Sequence, residues 1–137
     1  TVVAHFKKKM KPGLKYIELK SGYGDTGPAW IGMAEFSKSG RTVYFNGKAL
    51  KNSNAQRIAG NYYDIENGDE YWVSGIKKKG TDRHWAGSGK IMIDRKIVDF
   101  YLSLVDFNEL DKNQFELVDI LPSDKQKFAQ IENEKLN

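Results

Sequence analysis

Short apolar runs separated by glycine-centred turns dominate the chain between residues 14 and 93. Asn46-Gly47 and Asn67-Gly68 each lie between two such runs, and Ser39-Gly40 separates another pair. Asn-Gly is the strongest short signal for a β-hairpin, because a type I′ turn needs a positive φ at both central residues. The runs are rich in Tyr, Trp, Val, Ile and Phe, which suit a pleated, half-buried surface. The pattern predicts a meander of about six short strands.

The spacing of apolar residues becomes helical after the last of these strands. Asp94 lies where an N-cap belongs, and the residues that follow predict a packed helix at about residues 95–105. Residues 115–121 predict a final strand. A capping-box sequence that begins at Ser123 predicts a short C-terminal helix at about residues 123–136.

The length and composition limit both the architecture and the chemistry. The chain has 137 residues, of which 39% are hydrophobic, and it contains no cysteine. One domain fits this length, and the lack of cysteine excludes disulfides, thiolate metal sites and cysteine nucleophiles. We therefore predict an α+β, mainly β domain at residues 14–121, built as a small curved antiparallel sheet or partly open barrel. Residues 1–13 are predicted to form a basic arm and residues 122–137 a C-terminal helix.

The net charge of +4 is unevenly distributed along the chain. The first 20 residues hold six lysines and one glutamate, whereas residues 105–137 hold four basic and eight acidic side chains. A lysine-rich chain end is either a solvated arm or a functional polybasic segment, and the sequence leaves this open. No apolar run approaches the roughly 20 residues of a membrane-spanning helix, so we expect a cytoplasmic protein.

Two glycine-rich segments match phosphate-binding motifs only in part. Gly22–Gly27 has the spacing of a dinucleotide-binding loop, but the next residues predict a strand where a helix should begin. The segment that ends in Gly89-Lys90 lacks the other residues of a P-loop. The only histidines are His5 and His84, without metal-ligand spacing. We therefore expect neither a cofactor nor a metal.

Residues 77–85 gather three lysines, an arginine, a histidine and a tryptophan between two predicted strands. With the Gly22–Gly27 loop, this segment forms the predicted ligand surface. Arg83 has two open interpretations: it binds a phosphate or carboxylate, or it pairs with Asp82 or stacks on Trp85. The predicted ligand-binding residues are Tyr23, Lys78, Arg83, His84, Trp85 and Lys90.

The aromatic residues, 12% of the chain, also have two interpretations. Adjacent aromatics in a strand point to opposite faces, so Tyr62-Tyr63 and Tyr71-Trp72 each place one ring on the outside. If that face is open, these rings and lysines 77–79 would form a stacking platform for single-stranded nucleic acid. If the helix at about residues 95–105 covers it, the aromatics belong to the core.

Three segments carry a resemblance to known proteins: GPAWIG at 27–32, NYYDIENGDEYWVSG at 61–75 and DRHWAGSG at 82–89. Over roughly residues 14–121 the chain resembles small bacterial single-domain proteins without an established activity, some of which are labelled deoxyxylulose-phosphate synthases. That synthase needs several domains, and Gly24-Asp25-Thr26-Gly27 departs from its Gly-Asp-Gly diphosphate motif. The resemblance implies a bacterial, cytoplasmic protein and assigns no functional residue.

Together these features predict a binding module rather than an enzyme. Its aromatic and cationic loop residues would contact a protein partner or a single-stranded nucleic acid. The alternative is a small hydrolase or transferase in which His84 is the general base and Asp82 orients it. The oligomeric state stays open.

Overall fold

Six strands form an antiparallel meander that closes on itself. The computed structural model describes residues 13–23, 26–53, 60–80, 82–83 and 89–136. Each strand pairs with the next along the chain, and β6 pairs with β1, so the sheet closes into a barrel. The predicted mainly β fold is confirmed, with a closed barrel. The six strands are β1 (Gly13–Leu19), β2 (Ala29–Phe36), β3 (Thr42–Phe45), β4 (Lys48–Asn52), β5 (Tyr62–Asp64) and β6 (Glu70–Ser74).

Two further strands and two helices follow the barrel. Strand β7 (Ile91–Asp94) pairs with the first half of β2, and β8 (Phe115–Val118) pairs with β7. Both pairings are parallel and add to the antiparallel arrangement that the sequence predicts. A 3-10 turn at Arg95–Ile97 leads into α1 (Val98–Leu104), and α2 (Lys125–Leu136) ends the described chain.

The two Asn-Gly sequences form different turns. Asn46 and Gly47 both have positive φ angles, of 50° and 76°, as the predicted type I′ turn requires. At the second sequence only Gly68 has a positive φ, and Asn67 instead accepts a hydrogen bond from the Asp69 amide through its side chain. The type I′ prediction for this second turn is therefore wrong, because the chain forms a longer connection in which the Asn side chain replaces a backbone acceptor.

One edge of strand β2 pairs with two different strands. Ala29–Ile31 pair with β7, whereas the end of β2 pairs with β3. Near the division, a Cβ atom on Gly32 would lie 2.9 Å from the Phe45 ring and 3.3 Å from the Ile120 side chain. These side chains pack against the bare backbone of Gly32. The glycine thus allows the segment after β8 to fill the fork between β3 and β7.

Three apolar clusters hold these elements together. The barrel interior contains the buried residues Ile17, Ala34, Val43, Phe45, Leu50, Tyr71 and Val73. The outer face of β1 and β2 packs with β7, β8 and α1 through Leu14, Tyr16, Ala29, Ile31, Ile91, Ile93, Tyr101, Val105 and Phe115. Helix α2 packs against the opposite flank of the barrel through Phe128, which is buried with Ala49 and Ile65. Strand β1 therefore has two buried faces.

The helix boundaries differ from the prediction in one respect. Asp94 caps the turn at residues 95–97 as predicted, since its carboxylate accepts a hydrogen bond from the Lys96 amide. The N-terminal helix cap predicted at Ser123 is instead Asp124, which accepts hydrogen bonds from the amides of the first turn of α2. The Ser123 hydroxyl donates to the Lys48 carbonyl and so ties the connection to the barrel.

Candidate functional site

Three of the predicted ligand-binding residues lie at one end of the barrel. Tyr23 is in the turn after β1, and a Cβ atom on Gly27 would lie 3.0 Å from the Tyr23 Cβ. Arg83 donates a hydrogen bond of 2.6 Å to the Gly27 carbonyl. Lys90 immediately precedes β7, whose first residue pairs with the first residue of β2. The structure therefore brings Tyr23, Arg83 and Lys90 to the same set of loops.

The other predicted residues are placed differently. Lys78 is exposed on the segment between β6 and Arg83, and its carbonyl accepts a hydrogen bond from the Asp106 amide. It therefore lies beside the chain that leaves α1. His84 and Trp85, together with the predicted basic arm up to residue 12, lie outside the described residues.

Arg83 is buried, with only 3% of its surface exposed. Besides its hydrogen bond to Gly27, its Nη1 atom lies 4.0 Å from the Glu18 carboxylate on β1. Arg83 therefore links the β6–β7 connection to the β1–β2 loop and to the wall of the barrel. Arg83 neither pairs with Asp82 nor lies on the surface, and the predicted alternative of stacking on Trp85 falls outside the described residues.

Glu18 is the centre of this buried polar cluster. The Tyr16 hydroxyl donates a hydrogen bond to the Glu18 carboxylate, and the Lys20 ammonium group lies 2.8 Å from its other oxygen. Glu18 is 4% exposed, so its charge is removed from water and balanced by Lys20 and Arg83. Burial and the adjacent Glu18 carboxylate together raise the pKa of Tyr16 above its usual range.

Asp82, a partly buried carboxylate, directly precedes Arg83 in the chain. Asp82 accepts a hydrogen bond of 2.9 Å from the Lys77 amide through Oδ1, while its buried Oδ2 has no hydrogen-bond partner among the described residues. Burial raises the pKa of Asp82 above its ordinary value of 3.8, although the Lys77 amide opposes the shift. Burial also raises the pKa of the Tyr101 hydroxyl, and the nearby Asp82 charge adds to this effect.

The hydrolase alternative depends on a His84–Asp82 pair that the described residues do not test. One oxygen of Asp82 is used to hold the turn that begins at Lys77. The other is available in principle to orient an imidazole, but His84 is outside the described residues. The alternative therefore stays a prediction.

Trp72 is a surface residue that the predicted site did not include. It is 42% exposed, whereas its neighbour Tyr71 lies in the barrel interior. Trp72 pairs directly with Glu18 across β6 and β1, so the two side chains leave the sheet on the same face about 5 Å apart at their Cβ atoms. The exposed indole therefore borders the Glu18–Arg83 cluster. In the sequence, the orientation of Trp72 was indicated by the rule that adjacent strand residues such as Tyr71 and Trp72 point to opposite faces.

The aromatic residues of the strands have divided roles. Tyr62 packs into the barrel interior, and Tyr63 packs against the cluster formed by α2. The predicted covering of the outer face by the helix at about residues 95–105 is therefore incomplete, because Tyr63 packs with the α2 cluster and Trp72 is 42% exposed. Tyr23 is also open to solvent, at 51% exposure.

The exposed charges in the described part of the segment between β6 and β7 are positive. Lysines 77–79 and Lys90 are exposed. In the described part of residues 75–90 the one acidic side chain is Asp82, whose carboxylate is turned onto the Lys77 amide. The Lys77 amide contacts Asp82, and the next residue, Arg83, contacts Glu18, so the backbone at the start of the lysine segment is linked to the Glu18–Arg83 cluster.

A separate cleft of about 310 Å³ lies at the fork between β3 and β7. Its walls come from β2, β3, the end of β7 and the segment that joins β8 to α2. Its two carboxylates have partners in the protein: Glu35 pairs with Lys125, and Asp94 caps the Lys96 amide. The cleft therefore shows less available polar chemistry than the barrel end.

Within the described ranges, no group of three or more His, Asp or Glu side chains is arranged to hold a metal ion. The same part of the chain contains no helix that is long and apolar enough to cross a membrane. Comparison with family models, curated proteins and solved structures finds no match to this chain.

Proposed function

We propose that the protein is a binding module for single-stranded nucleic acid, with Trp72 and Tyr23 as stacking residues. Lysines 77–79 and Lys90 would contact the phosphates. The Trp72 ring carries the proposal, because it is 42% exposed while its strand neighbours Tyr71 and Val73 are buried. Exposed aromatic rings beside cations are the common recipe for binding single strands without strict sequence preference.

The buried cluster supports this proposal by fixing the loops around the rings. Arg83 holds Gly27, in the loop that carries Tyr23, and it approaches Glu18, the cross-strand neighbour of Trp72. Two aromatic residues on separate elements are thus connected through one rigid group. A surface held in place before binding loses less conformational entropy when the ligand binds.

The exposed lysines favour a polyanion over a basic or neutral partner. Lysines 77–79 and Lys90 are exposed, while Asp82 bonds to the Lys77 amide and the exposed Asp106 lies beside Lys78. A phosphate chain that neutralises these lysines releases counterions, so its affinity falls as salt rises. A protein partner held mainly by apolar contact would show a weaker salt dependence.

The test is fluorescence anisotropy of a labelled oligodeoxythymidylate, titrated with the full chain at several salt concentrations. Trp72→Ala should weaken binding about tenfold, because a stacked base is worth about 1–3 kcal/mol. Lys78→Ala should weaken binding and lower the slope of log affinity against log salt by about 0.7. The matched controls are Phe100→Ala and Lys112→Ala, which remove an exposed aromatic and an exposed lysine far along the chain from the site.

The outcomes separate the competing functions. Absence of binding at low salt overturns the nucleic-acid proposal. Equal loss of binding in Trp72→Ala and Phe100→Ala would also refute it, since stacking would then not depend on this site. Detectable hydrolase activity that disappears in His84→Ala would establish the enzymatic alternative instead.

A further inference from the structure

Strand β8 lies at the end of the sheet order and pairs only with β7 among the described strands. The Gln114 carbonyl accepts a hydrogen bond from the Ile91 amide, so residue 114 faces β7. Alternate residues of a parallel strand face the same edge, and Glu116 and Val118 therefore also face β7. The backbone groups of Leu117 face the open edge.

The open edge combines backbone groups with an exposed apolar side chain. The Phe115 amide is already bonded to the Asp111 carbonyl, whereas the Leu117 amide and carbonyl have no backbone partner outside the strand pairing in the described chain. The Leu117 side chain is 49% exposed, although the strand residue two positions earlier is buried. An edge of this kind can pair with an added strand.

The surroundings of this edge are acidic. Glu109, Asp111 and Glu116 are exposed in the segment that contains β8, where Lys112 is the single exposed cation, and Asp119 is paired with Arg95 from the turn after β7. At the beginning of the strand, a shallow hollow of about 510 Å³ is lined by residues 109–112. The edge thus combines unpaired backbone groups, one apolar contact and an excess of negative charge.

We propose that β8 binds an extended, lysine- or arginine-rich segment of a partner protein as an added strand. The partner backbone would pair with Leu117, and its cations would lie beside Glu116 and the acidic residues of the hollow. A second copy of β8 fits poorly, because it would oppose one acidic strand to another. This interaction is independent of the nucleic-acid surface, since it involves another strand and ligands of opposite charge.

The test uses the labelled peptide Lys-Val-Lys-Val-Thr-Lys with the full chain, with Glu-Val-Glu-Val-Thr-Glu as the charge-reversed control peptide. We expect binding of the lysine peptide at low salt and none of the glutamate peptide. Glu116→Lys should weaken binding about threefold or more, by replacing a favourable cross-strand charge pair with an unfavourable one. Lys38→Glu, which changes the charge of an exposed residue in the turn between β2 and β3, is its control.

The backbone contribution is tested by Leu117→Pro, which removes the amide that faces the open edge. The ladder bonds to β7 are made by residues 116 and 118, so this ladder is expected to persist. Leu117→Thr is the matched control, because it shortens the apolar side chain and keeps the amide. We expect about tenfold weaker binding for the proline variant than for the threonine variant, after correct folding is verified by circular dichroism.

Amide hydrogen exchange gives an independent measurement on the unaltered chain. Addition of the lysine peptide should slow exchange at Leu117 while leaving Trp72 unchanged. If the proline variant does not fold, this exchange and the Glu116→Lys result decide the question. The acidic residues could instead serve only to keep other strands from pairing with β8, and then neither peptide would bind. That result would overturn the proposal, as would equal binding of the two peptides.

Discussion

Replacing Arg83 with Met tests whether the buried guanidinium fixes the barrel end. The side chain loses its charge but keeps an unbranched apolar stem of similar reach. At an effective dielectric constant of 20, attraction between the Arg83 Nη1 and Glu18 atoms 4.0 Å apart is worth about 4 kcal/mol. The hydrogen bond to the Gly27 carbonyl adds about 2 kcal/mol, as expected for a bond to a charged group.

Part of the stabilisation that Arg83 provides is offset by its own unpaired buried groups. The Nε and Nη1 atoms of Arg83 are buried and have no hydrogen-bond partner among the described residues, which costs about 3 kcal/mol for the two groups. The net loss expected for Arg83→Met is therefore about 3 kcal/mol. A domain of this size has a free energy of unfolding of about 5–15 kcal/mol, so the variant should still fold.

The assay is urea unfolding followed by far-ultraviolet circular dichroism, for Arg83→Met alone and in a Glu18→Gln background. Without the Glu18 charge, the 4 kcal/mol attraction disappears, and Arg83→Met should change stability by about 1 kcal/mol or less. Lys78→Met, on the same segment but exposed, should stay within about 0.5 kcal/mol of the parent chain. An equal loss from Arg83→Met in both backgrounds would refute the coupling between Arg83 and Glu18.

Two further substitutions test the packing at the fork and the buried carboxyl group. Gly32→Ala should destabilise the fold by about 1–3 kcal/mol in urea unfolding, because its Cβ would crowd Phe45 and Ile120. Gly75→Ala, whose Cβ would meet nothing within 4 Å, is the control, and equal effects of both would contradict this packing. The pKa of Asp82 is higher in the native than in the unfolded chain, so its ionisation lowers stability as pH rises above 3.8. Asp82→Asn should therefore gain stability relative to the parent chain between about pH 3 and pH 7 in the same assay; a constant difference would contradict the raised pKa.

The strands were predictable because their signals are local. The turn at Asn46-Gly47 depends on residues close in sequence, and it appears in the structure. Closure of the barrel depends instead on the pairing of β1 with β6, more than 50 residues apart. Strand number, tilt and register decide closure together, and none of them is encoded in a single run of residues.

The candidate site shows the same limit at the level of side chains. The sequence of residues 77–85 predicts a cluster of charged and aromatic groups, but it does not indicate which side chains face water. Arg83 is drawn inward by Glu18, a residue 65 positions earlier in the chain, and this long-range partner has no local signature. Alternation predicts that Tyr71 and Trp72 face opposite ways, while the position of α2 decides which outer rings are covered.

The hydrogen bond from the Asp106 amide to the Lys78 carbonyl joins the two proposed surfaces. On one side of it the exposed charges are lysines 77–79, and on the other the chain continues into the acidic segment before β8. If both proposals hold, a nucleic-acid strand would be attracted to these lysines and repelled by the acidic segment beyond Asp106, and a basic peptide would experience the reverse field. The two ligands would then be separated by the sign of their charge before either makes a specific contact.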